Sequence, residues 1–260
     1  MRWIKGLIPT VIILLGALLL GCICYISIWG VPSFVVQRVE QALLEKGIPS
    51  HIETLKVTLW PRAVVTLKNV ELLDPEAMPE TRRPIVLLHE ADVALNWKKL
   101  IEGQVVPERV NVKGMDVSVP VDAGNPEKIF SVTGVNAELN LGRPGMVDIV
   151  KADAVVQGIR VTAQGAFSIG QDDSGDFTLT AQDMGAVREQ LNQVLNYMDR
   201  VKWPDASPPR LIVNLSDDPK GGVRVGMDLQ APFLRYGKIM VRDFLFSGDY
   251  ADSVIMAKHF

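Results

Sequence analysis

Beyond about residue 50, apolar and polar residues alternate with a period of two along most of the chain. Between Ile85 and Trp97 every second residue is apolar except His89, and Glu90 and Asp92 stand among the residues between them. Successive side chains of a β-strand point to opposite faces of a sheet, so this pattern predicts strands with one apolar and one polar face. At 260 residues and 48% apolar content, the chain has enough material for a substantial core.

Similar runs recur and predict about ten strands. The parity of the apolar residues changes across Gly114, between Val112 and Val117, as a β-bulge requires. The segment SDDPKGG separates two alternating runs and predicts a hairpin. A last strand or two is expected between residues 238 and 250. The further apolar strand positions are Val110, Val119, Val135, Ala137, Leu139, Leu141, Ile159, Val161, Ala163, Phe167, Ile169, Leu211, Val213, Leu215, Val223, Val225, Met227 and Leu229.

Two segments have apolar residues at helical spacing instead. The first predicts a short amphipathic helix from about Ser33 to Lys46, which Gly47 and Pro49 terminate. The second predicts a helix that begins at an N-cap at Asp183 and ends before the WPDASPP segment. Many strands with short connections and few helices predict a mainly β (α+β) fold, in which an antiparallel meander has polar and apolar sides.

The amino-terminal region is uncharged from Gly6 to Gln37. Roughly 20 apolar residues cross the hydrocarbon core of a bilayer, so the stretch from about Leu7 to Ile28 is predicted to be a single transmembrane helix. Arg2 and Lys5 precede it, which favours a cytoplasmic amino terminus and places the bulk of the chain on the other side. The expected membrane contacts are made by Leu7, Ile12, Leu15, Leu19, Ile23, Ile28 and Trp29.

Two other interpretations of this segment remain open. A cleaved signal peptide has a shorter apolar core and then turns polar, whereas this chain stays apolar through Val36. The LLGC string at Leu19 to Cys22 resembles a bacterial lipoprotein processing site, although ICYISIWG is a poor start for a lipid-tethered chain. In every version, the rest of the chain lies outside the cytoplasm and on a membrane.

Charge and cysteine content argue against two kinds of function. Without Arg2 and Lys5, the chain has 25 Lys and Arg against 30 Asp and Glu. Such an acidic exterior disfavours nucleic acid as a partner, because duplex binding depends on clustered cations. Both cysteines, Cys22 and Cys24, lie in the uncharged run. We therefore expect neither a disulfide framework nor a thiolate metal site in the remainder.

Motifs of catalysis are missing from the sequence, which has no Walker loop, no GxGxxG after a strand, no HExxH and no GxSxG. The histidines His51, His89 and His259 are scattered, and His89 is expected to be hydrogen-bonded or edge-exposed. The DDSGD string resembles the start of a calcium loop but lacks its later glutamate, so a hairpin turn is the better interpretation. The chain is therefore predicted to be no enzyme and to hold no cofactor or metal. The remaining isolated candidates are Glu138, Asp148, Asp153, Asp228 and the pairs Trp60-Pro61 and Trp203-Pro204, for which solvent-facing positions and strand-end packing are expected.

Two segments resemble the start of AsmA-like envelope proteins, namely VTLWPRAVVTLKNVELLDPE at Val57 to Glu76 and VALNWKKLIEGQVVPERVNVKGMDVSV at Val93 to Val119. Members of that family begin with one membrane helix, a short helix, a strand pair ending in an nv-l-dp element, and a strand leading to L--G-i-v--i-v-g--v-v. The resemblance covers roughly residues 8 to 120, and members of the family are usually much longer. The matching residues are Asn69, Val70, Leu72, Asp74 and Pro75, then Leu100, Gly103, Val105, Val110, Val112, Gly114 and Val117.

The resemblance implies a bacterial inner-membrane protein whose periplasmic part is a curved sheet with an apolar groove, similar to bridge-like lipid-transfer proteins. It implies phospholipid or another acyl lipid as the partner and a role in phospholipid movement or outer-membrane maintenance. The predicted organisation is an anchor at 1–30, an amphipathic helix at 31–48 and a β-domain at 49–260. The residues predicted to line the groove are Leu87, Val93, Leu95, Val110, Val112, Ile159, Val161, Phe167, Val223, Val225 and Met227.

The same alternation would also build a β-sandwich, in which a second sheet covers the apolar face. The chain would then be a structural or assembly component of an envelope machine, such as the N subunit of type II secretion, with its function in edges and loops. Ten strands at about 4.8 Å spacing extend roughly 50 Å, which is too short to bridge the periplasm. A bridge would need envelope protein partners or self-association.

Overall fold

The structure is a computed structural model that describes residues 31–75, 83–122, 125, 127–168, 181–218, 222–251 and 254–259. The predicted membrane anchor at 1–30 and the DDSGD turn at 172–176 lie outside these ranges. Within them, none of the helices has the length and apolar character needed to cross a bilayer.

Strands make up most of the described chain. Their bounds are β1 Ser50–Thr58, β2 Val64–Leu73, β3 Pro84–Leu95, β4 Pro107–Pro120, β5 Ile129–Asn140, β6 Met146–Val156, β7 Ile159–Ser168, β8 Val201–Lys202, β9 Arg210–Asp217, β10 Val223–Tyr236, β11 Ile239–Ala251 and β12 Val254–His259. All twelve belong to one curved sheet that does not close on itself. The mainly β prediction is therefore confirmed, and the described residues contain no second sheet of the kind a sandwich requires.

The helices of the described chain are α1 Ser33–Glu45, α2 Trp97–Ile101 and α3 Ala181–Met198. The predicted helix from about Ser33 is confirmed. The predicted N-cap at Asp183 is wrong, because α3 begins two residues earlier and Asp183 lies inside it. Helix α2 is not predicted from the sequence, since one helical turn is too short to show a period. Its only signal is Asn96, whose side chain accepts a hydrogen bond from the Lys99 N–H at 2.9 Å, as an N-cap does.

The order of the strands in the sheet follows the chain, except at one junction. Strands β1 to β7 form an antiparallel meander, and β9 to β12 form another. Between them β7 and β9 are parallel, which corrects the prediction of an antiparallel meander at this one junction. Parallel neighbours need a long crossover connection, and the segment containing α3 provides it. The two backbones approach so closely there that a Cβ on Gly165 would lie 2.0 Å from the Leu215 carbonyl oxygen.

The two edges of the sheet differ. At β1, the Val31 N–H donates to the Leu55 carbonyl at 2.9 Å, and the Ile52 N–H donates to Glu40 Oε1 at 2.7 Å. The segment from residue 31 through α1 therefore satisfies part of the β1 edge that would otherwise invite pairing with another chain. At the other edge, β12 has β11 as its only strand neighbour among the described residues.

A break in the alternation of β4 keeps its apolar side chains on one face of the sheet. Val112 pairs with Ala137, and Met115 pairs with Val135. Residues 135 and 137 are two positions apart and share a face of β5, so their partners Val112 and Met115 share that face of β4. Val112 and Met115 are three positions apart, and in a regular strand they would point to opposite faces. Gly114, with φ 66°, reverses the alternation between them, which confirms the predicted bulge. The alternation of β3 is reversed in the same way at His89, because Leu88 pairs with Met115 and Ala91 pairs with Val112.

Candidate functional site

Two uninterrupted rows of apolar residues cross ten strands of the sheet. Directly paired residues of neighbouring strands lie on the same face, so each row follows from the register. Row 1 consists of Val57, Val65, Val93, Val110, Leu139, Ile149, Gly165, Leu215, Val225 and Tyr250. Row 2 consists of Leu55, Leu67, Ala91, Val112, Ala137, Ala152, Ala163, Val213, Met227 and Gly248.

Row 2 is bordered on its other side by a third set of apolar residues, row 3. The members of row 3 are Ile52, Val70, Leu88, Met115 and Val135 on β1 to β5, and Ala154, Val161, Leu211, Leu229 and Phe246 on the later strands. We call the surface formed by rows 1 to 3 the apolar face. None of its residues is charged.

Small residues are concentrated in row 2, where four of the ten members are alanine and one is glycine. Rows 1 and 3 carry mostly valine, leucine and isoleucine. The short side chains of row 2 therefore form the floor of a shallow trough between two ridges. The alanines that form this floor lie on β3 and on β5 to β7, so the trough spans five strands, about 19 Å, whereas row 2 as a whole extends roughly 43 Å, the sum of nine strand spacings. Sequence reasoning missed the trough, because its alanines share a row only once the register is known.

Ten of the eleven predicted groove residues lie on the same side of the sheet as the apolar face: six belong to rows 1 to 3, and four lie further along the same strands. All ten are half-buried, so neighbouring residues leave each of them partly accessible. They are Val93, Val110 and Val225 in row 1, Val112 and Met227 in row 2, Val161 in row 3, and Leu95, Ile159, Phe167 and Val223 beyond the rows.

Leu87 is the exception, and its assignment to the groove is corrected. Its cross-strand neighbours are Glu71 and Asp116, and its side chain is exposed. The next residue, Leu88, pairs with Val70 and Met115 and lies in row 3 instead. The prediction for Leu87 depends on regular alternation from Ile85 through His89. In the structure, the alternation reverses at His89, so the apolar side chain of the preceding part of β3 is Leu88.

Helix α3 is fastened at one end of the sheet by polar contacts to two strands. Arg188 donates from Nη2 to both carboxylate oxygens of Asp74, just past the end of β2, at 2.8 Å each. Lys128, just before β5, donates to the side-chain oxygens of Asn192 and Asn196 at 2.6 Å each. The buried side chain of Leu195 adds apolar packing to these contacts. The helix is thus held across the ends of the first half of the sheet.

The opposite face carries the charged residues, and they neutralise one another. Two of the carboxylates singled out in the sequence form ion pairs there. Glu138 Oε1 lies 3.8 Å from Arg109 Nη1, and Asp153 Oδ2 lies 2.7 Å from Lys151 Nζ. Asp249, the one buried charged residue of the described chain, accepts hydrogen bonds from Lys258 and Arg224, and these hydrogen bonds lower the pKa of Asp249. Across the described residues, no three His, Cys, Asp or Glu side chains are grouped closely enough to hold a metal ion.

Glu90, on β3, lies on this charged face, and its ion pairs make the stability of the fold depend on pH. Hydrogen bonds from Lys113 at 2.6 Å and Lys68 at 2.8 Å lower the pKa of Glu90 to about 2. A folded-state pKa below the ordinary value of 4.5 means that the ion pairs stabilise the fold above about pH 4.5 and lose this effect as the pH falls toward 2.

We therefore expect Glu90→Gln to be less stable than the original chain near pH 7 and equally stable near pH 2. Urea unfolding at a series of pH values measures the difference. Glu138→Gln is the matched control, because the 3.8 Å contact of Glu138 is longer and more exposed. A destabilisation by Glu90→Gln that is constant from pH 7 to pH 2 would contradict the assignment.

Comparison of the chain with protein family models, with curated proteins and with solved structures finds no match. The resemblance to AsmA-like proteins therefore stays a hypothesis, and a function has to be argued from the geometry of the two faces.

Proposed function

We propose that the apolar face binds the acyl chains of membrane lipids. The protein would be a membrane-anchored lipid-binding protein of the bacterial envelope, with its amino terminus in the cytoplasm and its β-domain in the periplasm. In this role it contributes to phospholipid movement or outer-membrane maintenance. The observation that carries the proposal is the continuity of rows 1 and 2, which cross ten strands without a charged residue.

The energetics of hydrocarbon favour this use of the face. Soluble surfaces rarely present contiguous apolar patches of more than a few hundred square ångströms unless something binds there. Each methylene that leaves water contributes about 0.8 kcal/mol, so an acyl chain laid in the trough gains many such increments. The ridges of rows 1 and 3 flank the chain on both sides, while the open top lets a polar headgroup remain in water.

The register also favours movement of an acyl chain along the face. An acyl chain that passes from one strand to the next meets valine, alanine or leucine again, so its environment changes little at each step. A single charge in the row would raise the free energy of that step, because charges and hydrocarbon are poor neighbours. The uniform rows therefore suit transport as well as storage.

A second function is favoured by one observation, the open edge of β12. A strand edge with free backbone groups is a template for pairing with another protein. The chain could then serve as an assembly component of an envelope machine, which is the alternative raised from the sequence. That function would use the edge, and the apolar face would be covered by the partner rather than by lipid.

Site-specific photo-crosslinking in cells distinguishes the two functions. A benzoylphenylalanine at Val110, in row 1, is expected to give a lipid adduct that mass spectrometry identifies. The same residue at Asn111 is the matched control, because Asn111 pairs with Asp92 and Glu138 on the charged face and should give no lipid adduct. Protein adducts alone at Val110 would contradict lipid binding and favour the assembly function.

A further inference from the structure

One end of the sheet carries a rim that the binding of acyl chains leaves unexplained. The pairs Thr58 with Val64 and Leu95 with Pro107 place the ends of β1 and β3 and the starts of β2 and β4 together. The connections at that end are residues 59–63 and 96–106, and the second includes α2. We call these two segments the α2 rim.

The α2 rim exposes large apolar side chains. Trp60 is 84% exposed, Ile101 73% and Val105 72%. Strand-end packing, which the sequence analysis expected for Trp60, does not account for such exposure. Trp97 is also exposed, and it is four residues from Ile101, so the two side chains project from the same side of α2. Single exposed apolar residues are ordinary, but a cluster of them marks an interaction surface.

Cations stand among these apolar residues. The rim contains Arg62, Lys98 and Lys99 against one acid, Glu102, whereas the whole chain has a net charge of −3. Lys99 pairs with Glu102 at 2.9 Å, and Arg62 and Lys98 are exposed. Tryptophan and apolar side chains interleaved with lysine and arginine are the composition of segments that lie at the water interface of a bilayer.

The rim also lies near the place where the predicted membrane anchor would enter the domain. Val31 is hydrogen-bonded to Leu55, and Leu55 is three residues from the end of β1, roughly 10 Å along the strand. Phe34, in the first turn of α1, is exposed close to the same point. A helix that crosses a bilayer before residue 31 would therefore bring the rim toward the headgroups of that same bilayer.

We propose that the α2 rim docks on the anionic surface of the bilayer that holds residues 1–30. Trp60, Trp97 and Ile101 enter the interface, and Arg62 and Lys98 bind lipid phosphates. This deepens the proposed function and rests on it for the anchor. The trough crosses the strands, so docking of the rim at the strand ends aligns the trough with the plane of the bilayer. Row 1 and Leu95 are the apolar residues of the sheet nearest the rim, which gives an acyl chain a direct path onto the apolar face.

The test uses the full chain reconstituted in vesicles of phosphatidylcholine and phosphatidylglycerol. An environment-sensitive fluorophore is attached through Ile101→Cys in a chain that also carries Cys22→Ser and Cys24→Ser. We expect strong quenching by nitroxide on the lipid headgroups. Ile239→Cys is the matched control, because Ile239 is 63% exposed but lies at the turn between β10 and β11, far from the rim. Equal quenching at the two positions, or none at residue 101, would overturn the proposal.

A second variant tests the electrostatic part. Replacing Arg62 and Lys98 by glutamine should lower the docking constant about 30-fold, because each cation near an anionic surface contributes close to a factor of five. Unchanged quenching at residue 101 in this variant, or docking that is equal on pure phosphatidylcholine, would overturn the role of the cations.

The two proposals fail in distinguishable ways. A quenched label at residue 101 without lipid adducts at Val110 would leave the docked rim standing and remove lipid binding on the apolar face. Lipid adducts at Val110 with an unquenched label would do the reverse. Protein adducts from a crosslinker at Trp97, without quenching at residue 101, would assign the rim to a protein partner and overturn membrane docking.

Discussion

A glutamate at position 213 is expected to lower lipid binding at least about 30-fold, while a glutamate at position 212 leaves it unchanged. Val213 lies in row 2 between Ala163 and Met227, so a glutamate there would place its carboxylate on the apolar face, directly beside the trough. A charge held against hydrocarbon without a partner costs several kcal/mol, and 2 kcal/mol already corresponds to about 30-fold. Ile212 pairs with Thr162 and Asp228 on the opposite face, which acyl chains do not touch.

The pair is informative because the two residues are adjacent in β9 and differ only in the face they occupy. Lipid bound per protein, measured by mass spectrometry after extraction of each purified variant, gives the comparison. Circular dichroism and urea unfolding establish that both variants fold. Equal loss of lipid in both folded variants, or retention in Val213→Glu, would show that the apolar face is not the binding surface.

Gly165→Ala is expected to destabilise the fold by at least about 3 kcal/mol, among the largest effects of a single methyl group. Gly165 has φ 131°, a conformation that is open essentially to glycine alone. A Cβ at this position would lie 2.0 Å from the Leu215 carbonyl oxygen and 2.7 Å from its nitrogen. Both atoms belong to backbone, so they cannot move aside as a flexible side chain would. The parallel junction of β7 and β9 would have to open.

Gly134→Ala is the matched control for this prediction. Gly134 also has a positive φ, 64°, but a Cβ there would meet no atom within 4 Å. Its substitution should cost only the strain of a left-handed residue, about 1–2 kcal/mol. Urea unfolding of the two variants measures the difference. Equal destabilisation would mean that the clash at Leu215 is relieved and that the junction is less tightly constrained than the structure indicates.

The strands could be predicted from the sequence because alternation is a local property. The predicted strand runs are found in the described sheet, except that Leu141 follows the end of β5 and Ile169 lies outside the described residues. The bulge at Gly114 can be predicted because glycine stands where the parity changes. The reversal in β3 carried no such signal, since His89 is not a residue that marks bulges. The sequence therefore predicts the wrong face for Leu87, although it correctly predicts the strand to which Leu87 belongs.

The candidate site was predictable only in part, for the same reason. Alternation identifies which residues of one strand share a face, and ten of the eleven proposed residues do lie on the same side of the sheet as the apolar face. It does not identify which residue of the next strand lies opposite. The trough formed by Ala91, Ala137, Ala152 and Ala163 exists only once five strands are placed in register, and single alanines attract no notice in a sequence.

What the amino-acid order determined alone is therefore the kind of element and the polarity of its two sides, because both depend on neighbours one or two positions away. The tertiary structure decided the rest: the parallel contact of β7 with β9, the alignment of the rows, and the placement of α2 and the β1–β2 connection at the same end of the sheet. These depend on contacts between residues tens of positions apart. Such contacts are selected by the combined hydrogen bonding and packing of whole strands, which no local pattern encodes.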